Sequence, residues 1–85
     1  MLVITRGNHR VVHIGAMRVS IYCINENYIR LMIGNQTYKI GLGHWIIVNG
    51  ARIKYLEFLD RYRSARLGIA APPDVLILRE ELLAS

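Results

Sequence analysis

Cysteine is almost absent from this chain: Cys23 is the only one in 85 residues. A lone thiol closes no internal disulfide, and no second cysteine or histidine stands at ligand spacing from it. That excludes a disulfide scaffold and a cysteine-built metal centre, and leaves Cys23 as a small apolar side chain in a strand. Long apolar runs are missing too. The longest candidates, Ile40–Val48 and Leu67–Leu78, are broken by Gly, His, Pro and Asp, and both fall short of the ~18–20 residues of a membrane helix. A signal peptide puts its charge before its apolar run, whereas Met1-Leu2-Val3-Ile4 precedes Arg6 here. The expectation is a cytoplasmic protein with no membrane partner. Histidine is sparse: His9, His13 and His44 are the whole set. His9 and His13 are four apart, about 13 Å at ~3.3 Å per residue in a strand. No Ser/His/Asp or Cys/His set and no phosphate-loop glycine pattern occurs. Neither an enzyme, a cofactor nor a metal is expected.

What the chain has is basic charge and strand-forming sequence. Eleven basic residues, nine of them arginine, face six acidic ones, for a net charge of +5. Arginine's planar fork suits phosphates and guanine edges, so the balance points toward an anionic partner such as nucleic acid. The hydrophobic fraction, 53%, lies above the usual ~45–50%. It argues against disorder and for strands covered on both faces or an apolar interface.

The dominant period is two. Leu2-Val3-Ile4 opens as a strand closed by Thr5-Arg6, followed by Val11, Val12 and Ile14. Residues 18–24, rich in β-branched and aromatic side chains, read as a longer strand. Asn25-Glu26-Asn27 is a turn, and Tyr28–Ile33 returns. Gly34-Asn35 breaks the chain, and short strands at Tyr38–Ile40 and Trp45–Val48 flank Gly41-Leu42-Gly43. Asn49-Gly50 is a hairpin turn, with strands at Ile53–Phe58 and Ala65–Ile69 on either side of a turn near Asp60–Arg63. Pro72-Pro73-Asp74 forces a loop, since neither proline donates to a ladder. Val75–Leu78 reads as the last strand, and residues 79–84 form a helix of one or two turns, with Glu80-Glu81 favouring its dipole. The class is all-β with a short C-terminal helix. The chain also repeats itself: Gly15-Ala16-Met17-Arg18-Val19 recurs as Gly50-Ala51-Arg52-Ile53, each followed by an apolar strand, a polar turn and a return strand.

Two segments carry a resemblance. MLVITRGNHRVVHIG at the N-terminus and RLGIAAPPDVLILREELL at the C-terminus resemble the opening strand pair and the closing stretch of the CsrA/RsmA (carbon storage regulator) family of bacterial RNA-binding regulators. Residues 16–34 also resemble that family's second and third strands. The resemblance then covers residues 1–85 as a single domain, with 1–34 as a first, truncated repeat and 36–85 as a second repeat. Gln36–Gly43 stands for a degenerate first strand. A single copy with an insertion over about residues 16–50 is the rival parse; duplication accounts for the repeated hairpin.

The resemblance implies interleaved β-sheets, and in one chain a pseudo-dimer. Family sites join the first strand of one subunit to the last strand of the other. Carried over, Ile4, Thr5 and Arg6 meet Val75, Ile77 and Arg79, with the backbone of Ala70, Ala71 and Pro72 near the RNA. The second site is missing, because the first repeat has no last strand and the second has Tyr38-Lys39-Ile40 where Ile4-Thr5-Arg6 stands in the first. The implied function is binding of GGA in single-stranded loops of messenger leaders or small RNAs, repressing translation or altering mRNA decay. Free base edges in such loops are what proteins read, and an arginine fork matches guanine; Arg79 is the foremost base-contact candidate. Departures exist: Gly7-Asn8-His9-Arg10 replaces the family's usual turn, and the C-terminal helix ends early at Ser85. The alternative function is a protein-interaction module that modulates a family regulator without binding RNA well. Homodimerisation or association with a family protein stays open.

Overall fold

The computed structural model describes residues 1–7 and 10–79, leaving aside the side chains of Tyr62, Leu78 and Arg79. Among the described residues nine strands make two antiparallel sheets: β1 (Leu2–Gly7), β2 (Arg10–Ile14), β3 (Met17–Ile24), β4 (Tyr28–Ile33), β5 (Gln36–Gly41), β6 (Trp45–Val48), β7 (Ala51–Leu59), β8 (Ser64–Ala70) and β9 (Ile77–Arg79). A 3-10 turn, Asp60–Tyr62, joins β7 to β8. One sheet has the order β1-β8-β7-β6, the other β5-β4-β3-β2-β9. Among the described residues no helix is long and apolar enough to cross a membrane. The expected C-terminal helix falls on residues 80–84, outside the described ones, and Arg79 itself belongs to β9.

Alternation builds the core. In β3, Val19 and Ile21 turn inward; in β7, Ala51, Ile53 and Tyr55 do. With Ile29, Leu31 and Ile40 from one sheet and Ala65, Leu67 and Ile69 from the other, they form one apolar layer between the sheets. Tyr55 is fully buried, and its hydroxyl donates to the Asn25 carbonyl at 2.6 Å. Asn25 organises its own turn, its Oδ1 accepting from the N–H groups of Asn27 and Tyr28 at 2.9 Å each. One side chain thus ties β7 to the β3–β4 turn of the facing sheet.

The ladders match the two halves of the chain position by position. Val12 pairs with Val19 and Ile14 with Met17; Ile46 pairs with Ile53 and Val48 with Ala51. Both long hairpins carry their irregularity at the same place, between Ile21 and Cys23 and between Tyr55 and Glu57. The match shifts the sequence repeat by one residue at the turn. Gly15-Ala16 corresponds to Asn49-Gly50, not to Gly50-Ala51, because ladder register, set by the two-residue turns, overrides the identity of the letters. Gly15 and Asn49 share a left-handed backbone, at φ 58° and 50°.

The terminal strands change places. β1 leaves β2 and pairs with β8, Leu2 opposite Ile69 and Arg6 opposite Ala65. β9 pairs with β2, Ile77 opposite Ile14 and Arg79 opposite Val12. β5 repeats on β4 what β1 does on β8: Tyr38 stands opposite Leu31 as Ile4 stands opposite Leu67. The last strand starts later than expected, at Ile77 instead of Val75. Val75 is held in a turn, its N–H on the Pro72 carbonyl at 2.9 Å, and Leu76 meets β2 through one bond from the Gly15 N–H, at 2.8 Å.

Candidate nucleic-acid interface

β1 and β9 are edge strands of different sheets. They border the same side of the molecule, because β1 runs into β2 and β2 carries β9. The Ala70–Leu76 crossover links the end of β8, beside Leu2, to the β2 edge. The nine expected site residues therefore lie on two neighbouring edges and the loop between them. No ladder joins β1 to β9 among the described residues; β8 takes that place beside β1.

Their exposures divide them. Thr5 and Pro72 are exposed. Ile4, Ala71, Val75 and Ile77 are half-buried and pack on the core, and Ala70 is half-buried at the end of β8. Arg6 is only 5% exposed. The reason lies in the register: Arg6 stands where β5 has Ile40, a core residue at 1% exposure, and the two strands share one alternation. A guanidinium so placed offers little surface to a ligand, and its engagement is internal. Arg79 lies on the outermost strand of its sheet, opposite Val12.

The outer faces carry groupings not foreseen from the sequence. The Arg30 guanidinium lies 5.3 Å and the Lys39 ammonium 4.4 Å from the Tyr28 ring. On the other sheet, Arg52 and Lys54 lie 5.6 and 5.8 Å from the ring of Trp45. Hydrogen bonding to Tyr28, then to Tyr22, raises the Arg30 pKa above its ordinary value, so its charge is fixed. Arg66, opposite Thr5, pairs with Glu57 at 2.8 Å. The signal for these groups was cross-strand spacing: once Asn49-Gly50 closes a hairpin, Lys54 must face Trp45. Among the described residues no cluster of three or more His, Cys, Asp or Glu side chains could hold a metal ion.

No family model, curated protein or solved structure matches the chain.

Proposed function

We propose that the chain is a single-chain pseudo-dimer of the carbon storage regulator kind, and that it acts in the cytoplasm by binding GGA-bearing loops of messenger leaders or small RNAs. The observation that carries the reading is the exchange of end strands, β1 onto β8 and β9 onto β2. The two segments that resemble the family at sequence level thereby border one side of the molecule. Thr5, Pro72 and the edge backbone of β1 and β9 form the accessible part of this interface. Ile4 and Ile77 lend apolar support beneath the bases, and Arg79 reads guanine. Arg6 supports β1 from within, a role its burial favours over base contact.

The test is titration of a hairpin RNA with GGA in its loop against the same hairpin with CCA, at physiological salt, with the mass of the complex measured alongside. GGA-selective binding at one RNA per chain is expected. Arg79→Ala should weaken it about 10–100-fold, the span of one lost arginine–guanine pair, with unchanged thermal stability. Equal binding of both loops, or none, defeats the proposal.

A further inference from the structure

β2 and β6 hold equivalent positions in the two sheets, but only β2 has a strand on its outer side. Among the described residues nothing pairs with the outer edge of β6. The closing pair of the Asn49-Gly50 hairpin is Val48–Ala51, so ladder alternation turns the N–H and C=O groups of Ile47 and Trp45 outward. Exposure follows the same division. On β2, Val11, Val12 and Ile14 are at 2%, 1% and 2%. On β6, Trp45 is 52% and Ile47 62% exposed, and Ile46 and Val48 are only half-buried.

A cleft of about 660 Å³ adjoins this edge, lined by Ala16, Met17, Ile33, Gly34, Val48 and Asn49 among others. It opens between the end of β4 and the end of β6. At the equivalent place in the other half, between the end of β8 and the end of β2, the chain itself crosses as residues 71–76, and the space left beside Pro72 and Val75 is about 190 Å³. One half of the molecule thus displays what fills such a gap: a turn followed by an extended aliphatic strand.

We propose that the β6 edge and its cleft dock an extended segment of a partner protein, added antiparallel to β6 in the register that β9 uses on β2. Aliphatic side chains would stand opposite Val48 and Ile47, as Ile77 and Leu78 stand opposite Ile14 and His13. The residue opposite Trp45 would be acidic, because Arg52 and Lys54 flank that ring and opposite charges across strands attract. Backbone bonds to an open sheet edge supply the affinity and the alternate side chains the specificity. This site is independent of the RNA reading and lies on other strands.

The probe is a capped synthetic peptide with the sequence of residues 71–80, APPDVLILRE, whose final Glu falls opposite Trp45 in this register. Trp45 is the only tryptophan, so its fluorescence reports the site directly, and amide exchange reports the edge. Saturable binding at one peptide per chain is expected, with exchange at Trp45 and Ile47 slowed at least about tenfold. A peptide with Glu80→Lys should bind about two- to fivefold more weakly, the ratio that a cross-strand charge pair supports. Ile47→Pro, which removes only an outward N–H, should abolish binding, and a peptide N-methylated at the residue facing Ile47 tests the same bond without altering the protein. No change at Trp45 with 1 mM peptide overturns the proposal. So does protection at His13 in place of Ile47, which would mean displacement of β9, and so does undiminished binding by Ile47→Pro. Protection of the edge without peptide, growing with protein concentration, would assign the edge to a second copy and overturn it too.

Discussion

Two strands of the same length class, β2 and β6, occupy matching places and meet different fates. The difference does not lie in the strands. It lies in what the chain does after the hairpin that precedes each gap. After β8 it takes six residues, two of them proline, to cross and become β9. After β4 it turns at once through Gly34-Asn35, with Gly34 at φ 62°, and becomes β5. A tight turn spends the chain on the sheet it has just left; a crossover hands it to the other sheet. The same contrast separates β1 from β5, where one inward position holds Arg6 and its counterpart Ile40.

The sharpest way to break the comparison is to exchange that pair. Ile40→Arg should cost roughly 3–5 kcal/mol in urea denaturation, the range for a buried charge without a built partner. Arg6→Ile should cost less, about 1–3 kcal/mol, the range for a buried polar group that loses its partner, because Arg6 is engaged within the fold. Equal losses in both variants would mean that the two positions are not equivalent.

A smaller effect tests the covered edge. In Gly15→Ala the new Cβ would sit 3.2 Å from the Val75 Cγ1, on a left-handed backbone. The strain alone costs roughly 1–2 kcal/mol, and amide exchange on β9 should accelerate. Asn49→Ala at the matching position should show the strain without any change on β9.

The smallest concerns the tie between sheets. Tyr55→Phe should cost about 1 kcal/mol at pH 8, the value of one hydrogen bond. Burial pushes the Tyr55 pKa up, above the ~10 of the unfolded chain. The native state therefore holds its proton where the unfolded state releases it. The resulting stability is complete below about pH 10 and is lost as pH rises from there through the folded value. The advantage of the native protein over Tyr55→Phe should shrink between pH 9 and 11; a constant gap would rule this linkage out.

Most of the strands were legible because their period was two and their turns carried Asn and Gly. Tyr28–Ile33 and Trp45–Val48 fall where the alternation puts them. Partner choice was not legible from alternation, which assigns faces but not neighbours. The family resemblance set Ile4, Thr5 and Arg6 against Val75, Ile77 and Arg79, and named neither β8 nor β2 as the ladder partner of an end strand. The burial of Arg6 escaped notice because an arginine reads as solvated until its register is known. The shift of the repeat at Gly15-Ala16 escaped for a related reason: letters matched where ladders did not. The cation–aromatic groups were hidden in the list of arginines and emerge only when opposite strands are aligned.

The exchange of end strands also sets an order of events during synthesis. Leu2 is synthesised long before its partner Ile69. The β2–β5 meander can zip as it is made, from neighbours in sequence, whereas the β1–β8 and β2–β9 ladders must each close a loop that takes in most of the strands. Until then the nascent chain carries an apolar N-terminal strand with no partner, the kind of unpaired edge that invites wrong pairing. Folding of this protein is thus a matter of waiting, and whatever lengthens the wait lengthens the exposure of its first strand.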